Sequence, residues 1–194
     1  MLGEFALYLQ LGFHHIADLA GYDHLLFVTA LAIPYSFREW RRLAILVTAF
    51  TVGHSVTLAL ATLRLVSVPS AVVETLIPVT ILVTALLSWA SISRDASMAA
   101  VPPARYLLAA AFGLMHGLGF SNYLRGLLGQ EENIAMPLFA FNVGLELGQL
   151  LILALVLAIG AMVVRAGLSS RAWKRLMVIV VASLATILVA QRTF

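Results

Sequence analysis

The sequence predicts an all-α membrane protein, a bundle of about six transmembrane helices with both termini outside. Three observations lead to that reading. Hydrophobic residues make up 62% of the chain and charged residues 11%, against roughly 45–50% and about 25% in a soluble domain. Apolar runs of membrane-crossing length recur along the chain, whose mean hydropathy is +1.01. Lysine and arginine gather in alternate connections between those runs.

Runs of about 20 apolar residues place spans near 5–33, 42–63, 70–92, 105–124, 137–163 and 174–191. Turn-forming or charged residues punctuate the breaks: Pro34, Arg41–Arg42, Pro69, Pro102–Pro103, Gly129 to Pro137, and Gly167 to Lys174. There is no repeat, no low-complexity segment and no linker, so residues 1–194 read as a single polytopic domain. Nine of the 12 Lys/Arg residues lie in the connections after spans one, three and five (Arg38, Arg41, Arg42, Arg94, Arg105, Arg165, Arg171, Lys174 and Arg175). Arg64, Arg125 and Arg192 lie on the other side, so the positive-inside bias makes the first set cytoplasmic. Trp40 and Trp173 fall at the same interface. A cleavable signal peptide is not expected, because Glu4 and a Tyr/Gln-containing stretch replace its basic and short apolar regions. The chain has no cysteine, which excludes thiolate sites and disulfides. Its net charge of +3 serves orientation in the bilayer rather than nucleic-acid binding. The sixth span, poor in polar residues, is expected to face lipid or a second copy.

Against that background the stretch HHIADLAGYDHLLF, residues 14–27, is unusually polar. All five histidines (His14, His15, His24, His54 and His116) fall inside predicted spans, together with Asp18, Asp23, Glu74 and Glu146. Each ionisable group at the bilayer centre costs at least ~2.5–3.5 kcal/mol on insertion scales, so these groups must face inward and satisfy one another. Counted at 1.5 Å per residue, His54, His116 and Glu146 lie roughly 12–14 Å below the outer surface. His24 reaches a similar level or slightly deeper, and Glu74 lies a little higher. That shared depth predicts one polar site in the outer half of the bilayer.

Local spacing adds detail. Asn142, Glu146 and Gln149 form one stripe on span five. Gly144 with Gly148 and Gly113 with Gly117 are G-x-x-x-G pairs that let helices approach closely. His15 and His24 are nine residues apart, on opposite sides of an unbroken helix; they face one site only if span one breaks, for which the Ala20–Gly21 step is the obvious place. His15 with Asp18, and Asp23 with His24, would then be two units. Imidazoles and carboxylates without thiolate suit Zn, Ni, Co or ferrous iron. His14 reads as a packing residue, Pro78 as a kink, and Glu74, Asn142, Gln149 and Ser55 as supporting polar groups.

Several segments together resemble the HupE/UreJ family of membrane proteins. They are Gly21-Tyr22-Asp23-His24-Leu25-Leu26-Phe27, Phe50-Thr51-Val52-Gly53-His54-Ser55, Val73 to Pro78, His116-Gly117-Leu118-Gly119-Phe120, and Phe141 to Gln149. The resemblance implies a six-span bacterial inner-membrane protein linked to nickel or cobalt supply. It implies that His24 and Asp23 contact metal and that His54, His116 and Glu146 complete the path. The family's transporters carry a histidine shortly before the Asp-His pair; here Ala17 stands at that spacing and His15 is the nearest histidine.

Two functions of different class follow. One is a permease for a divalent cation such as Ni²⁺ or Co²⁺, although only Thr29 and Thr48 are evident polar residues for its inner half. The other is an intramembrane Zn-type hydrolase acting on a lipid or lipid-linked substrate. There three histidines would hold a metal that lowers the pKa of its water to ~7, with Glu146 or Asp23 as general base. A third reading is an accessory subunit whose His/Glu layer is a polar network without metal.

Overall fold

The computed structural model describes residues 2–18, 21–93, 103–128 and 134–193. Ala20, Arg94, Pro102 and Gly129, singled out above, lie outside the described residues. Among the described residues the chain is helical throughout, with seven α-helices and no strand. They are α1 (Leu2–Ala17), α2 (Asp23–Ala32), α3 (Trp40–Thr62), α4 (Ser70–Ser93), α5 (Pro103–Leu128), α6 (Ala135–Arg165) and α7 (Ser170–Thr193). Among the described residues four helical stretches are long and apolar enough to cross a membrane: Phe37–Thr62, Ser70–Ser93, Ala135–Arg165 and Ser170–Thr193. The first predicted span is two helices, α1 and α2, with the break between Ala17 and Asp23.

Ends of helices follow from local chemistry. Pro34 stands just past α2, where a ring without an N–H cannot continue the ladder. A 3-10 turn, Phe37–Glu39, leads into α3, and the Ser36 amide and hydroxyl both donate to Glu39 Oε2 at 3.0 Å. Gly167, at φ +108°, ends α6: the Leu168 amide donates to the Val163 carbonyl and the Gly167 amide to the Val164 carbonyl, a reversal that needs the left-handed backbone glycine tolerates.

Glycine also sets the packing. A methyl group at Gly12 would overlap the Phe141 carbonyl, and one at Gly144 the Leu9 carbonyl. The matching overlaps between α3 and α5 are Gly53 with Ala110, and Gly113 with Phe50. Backbones therefore touch along two pairs, α1 with α6 and α3 with α5. Four residues after Gly113 meets Phe50, Gly117 meets the His54 carbonyl, and four after Gly144 meets Leu9, Gly148 meets the Phe13 carbonyl, so the partners in each pair run in the same direction. By contrast α4 and α7 run in opposite directions. Arg175 lies over the Trp89 ring near one end, and Thr75 bonds the Arg192 carbonyl near the other.

Two apolar clusters result. One gathers Phe27, Phe50, Ile81, Val181 and Ala185 from α2, α3, α4 and α7; the other gathers Ile16, Leu58, Phe141 and Leu145 from α1, α3 and α6. Large apolar side chains on the outside, such as Ile45, Leu86, Leu151 and Ile187, are about half exposed, as expected of helices whose solvent is lipid. Helix α7 turns Val178, Val181, Ala185 and Leu188 inward and Ile179, Leu184 and Ile187 outward.

Candidate metal centre

The break after α1 has a direct geometric consequence. An unbroken helix would point His15 and His24 to opposite sides; here their rings lie 4.7 Å apart. His54, from the glycine-packed face of α3, lies 6.1 Å from His15 and 6.0 Å from His24, ring to ring. One ligand nitrogen from each of these three lies within 4.8 Å of the other two. His116, on α5, closes the cluster at 5.3 Å from His24. His24, His54 and His116 are buried and His15 is half-buried.

Aromatic rings wall the cluster on two sides. His15 lies 3.9 Å from the Phe120 ring, which stacks on Phe141. His116 lies 5.1 Å from both Phe27 and Phe50. Yet these imidazoles are short of hydrogen bonds: His15 Nε2, His24 Nε2, His116 Nε2 and both ring nitrogens of His54 have no partner. A buried polar atom left unpaired costs about 1–3 kcal/mol, so a cluster of them fits a ligand that takes lone pairs. His116 shows the preparation most clearly. Its Nδ1 lies 2.8 Å from the Phe112 carbonyl. A carbonyl only accepts, so Nδ1 carries the proton and Nε2 presents its lone pair, the arrangement that fixes a liganding imidazole.

The four carboxylates singled out in the sequence take different positions around the imidazole cluster. Asp23 is held by Arg192, whose Nη2 lies 2.8 Å from Oδ2, while its Oδ1 is buried and unpartnered; the carboxylate is close enough to act electrostatically on His116. Arg192 Nη1 also donates to the Glu74 carbonyl at 2.9 Å. Pro78 explains why that carbonyl is free: four residues on, it has no N–H to return the helical bond. Glu74 itself is exposed. Asp18, exposed just beyond α1, is close enough to act electrostatically on His15.

Glu146 lies apart from the imidazole group. Its Oε1 is 2.6 Å from the Thr48 hydroxyl, and Thr48 stands six residues before His54 on α3, about 9 Å further along the helix. Between these levels the Thr51 hydroxyl lies 2.7 Å from Gln149 Oε1. Two side-chain bonds thus tie the α6 stripe to α3, while Asn142 Nδ2 donates to the Leu138 carbonyl of its own helix; Asn142 Oδ1, Glu146 Oε2 and Gln149 Nε2 each remain buried without a partner. Ser55 bonds back to the Thr51 carbonyl, and His14 is exposed.

The sequence reading missed three features. Arg192 was counted only as an orienting charge, although Pro78 four residues after Glu74 signalled a carbonyl in need of a donor. Phe50, Phe112 and Phe120 each stand four residues from a clustered histidine, the spacing that puts side chains on one helix face. Thr51, three residues before His54, has no role in that reading beyond its place in the family-like segment.

The Arg192–Asp23 pair is partly buried, with side chains 27% and 15% exposed. Arg192→Gln is therefore expected to destabilise the protein by about 1–3 kcal/mol, less than a fully buried pair would cost. Adding Asp23→Asn should recover part of that loss. Thermal unfolding of the two single variants and the double variant measures the coupling; simple additivity would show that the pair contributes nothing.

A helical membrane protein enclosing four clustered imidazoles is the class defined by this geometry. A family model described as HupE / UreJ protein matches residues 1–193, and the chain belongs to that family, which is associated with nickel and cobalt uptake. No curated protein and no solved structure matches it.

Proposed function

We propose that the protein is a multi-pass permease of the bacterial inner membrane for a divalent transition-metal ion of the Ni²⁺/Co²⁺ type. The membrane is crossed six times by a single domain with both termini outside: α1 and α2 form one broken crossing, and α3 to α7 the other five. His15, His24 and His54 receive the ion in the outer half of the bilayer, with His116 beside them. The convergence of unpartnered imidazole nitrogens from α1, α2, α3 and α5 carries this reading.

The ion is cargo, and the site suits cargo. One nitrogen from each of His15, His24 and His54 lies within 4.8 Å of the other two, and a site that passes an ion on must both bind and release it, as conduction requires. Asp23 Oδ1 offers an oxygen on the approach, with Arg192 holding the carboxylate in place. Further in, Thr51–Gln149 and Thr48–Glu146 supply oxygens at successive turns of α3. They extend the inner path, for which the sequence offered only Thr29 and Thr48. Glu146→Gln is expected to slow flux about tenfold while leaving metal bound at the histidines. Equal loss of flux and binding would place Glu146 in the first site instead.

The three-histidine group also favours a second reading, since catalytic zinc sites use three protein ligands and keep one position open. That is an intramembrane hydrolase of lipid or lipid-linked substrates. Proteoliposomes enclosing a metal-sensitive dye separate the two. Inward flux of Ni²⁺ or Co²⁺ that disappears in His54→Ala supports the permease. Lipid cleavage that depends on bound zinc, without flux, would overturn it.

A further inference from the structure

At the end of the molecule away from the histidines, a cleft of about 580 Å³ opens between α6, α7 and the 3-10 turn. Helices α6 and α7, although consecutive, touch only lightly. Arg38, Arg165 and Lys174 line the cleft. Among the described residues Arg38 and Arg165 have no ion pair. The nearby Glu39 carboxylate is engaged by Ser36 and Arg42 and also acts on Lys174, which leaves positive charge in excess. Lys174 is positioned by its bond to the Pro34 carbonyl at 2.7 Å. The inner wall is apolar: Leu157, Val164 and Met177 face the space, and the Trp173 indole packs where Gly160 has no side chain.

We infer that this cleft binds an anionic glycerophospholipid of the inner leaflet. Its phosphate would sit among Arg38, Arg165 and Lys174, and its glycerol and first acyl carbons along the apolar wall. Three observations select that occupant. Three cations face one nearby carboxylate, and among the described residues Arg38 and Arg165 have no ion pair. The volume falls in the range of pockets for organic molecules, about 300–1,000 Å³, far beyond what one inorganic anion fills. On the same helix Leu155, Ile159 and Met162 are exposed, a surface on which acyl chains can lie. Basic pockets between transmembrane helices on the cytoplasmic side recognise anionic headgroups in this way. The inference rests on the inward placement of the Arg-rich connections, not on the metal reading.

Native mass spectrometry of the full-length protein in detergent tests it, with phosphatidylglycerol and phosphatidylcholine offered in equal amounts. The unmodified protein is expected to retain phosphatidylglycerol about tenfold better. The Arg38→Gln/Arg165→Gln variant should lose that preference while keeping its melting temperature and its metal binding. Three results would overturn the proposal: equal retention of the two lipids, undiminished phosphatidylglycerol on the variant, or displacement of the lipid by millimolar inorganic phosphate. The last would assign the cleft to a small free anion. Failure of metal binding or flux in other experiments leaves these outcomes unchanged.

Discussion

His54→Ala is expected to lower divalent-metal affinity by at least ~100-fold, and His24→Ala to do the same. Each removes one of the three nitrogens that lie within 4.8 Å of one another, and altering groups that merely orient a ligand already costs 10–100-fold. The loss has a second readout. At a metal concentration of 100 times Kd, the wild type gains about 2.7 kcal/mol of stability from the bound ion, so its melting temperature rises on adding metal. Neither variant should show that rise. Without metal the variants need be no less stable than the wild type, because each substitution also removes buried nitrogens that have no partner. His14→Ala is the internal control, since His14 is exposed and outside the group. Equal binding by all three variants would show that the imidazoles are packing residues.

The second large effect concerns backbone contact rather than ligands. A methyl group at Gly113 would overlap the Phe50 carbonyl and lie 3.0 Å from the His54 amide nitrogen. Those atoms are backbone, so neither side can give way locally, and α3 and α5 must separate. Gly113→Ala is expected to cost about 1–3 kcal/mol as overpacking. It should also reduce metal affinity about tenfold or more, because His54 and His116 are carried on the separating helices. Gly126→Ala on the same helix meets nothing within 4 Å and is expected to be neutral or slightly stabilising. If Gly113→Ala binds metal normally, close packing of α3 on α5 is not what positions the imidazoles.

Much of this arrangement was legible in the sequence, for identifiable reasons. Intramembrane charge is so costly that the depth of His24, His54 and His116 carried real information. The nine-residue spacing of His15 and His24 required the break that separates α1 from α2. Glu146 shows where depth counting stops. Counting residues from Pro137 assumes an upright helix, but α6 has 31 residues and is about 46 Å long, far more than a ~30 Å hydrocarbon core. A helix of that length tilts or projects, and Glu146 meets Thr48 rather than the imidazoles. Arg192 was hidden for another reason. Its partners, Asp23 and the Glu74 carbonyl, are more than 100 residues away in sequence, and only the antiparallel packing of α7 on α4 brings them within reach.

The most direct test of the multi-helix imidazole site is X-ray absorption on the purified protein loaded with one equivalent of Zn²⁺, Ni²⁺ or Co²⁺. The predicted spectrum carries the multiple-scattering signature of three or more imidazoles, with metal–nitrogen distances near ~2.0–2.1 Å for zinc, and loses that signature in His54→Ala. An all-oxygen shell, or a spectrum unchanged by His54→Ala, would contradict the account.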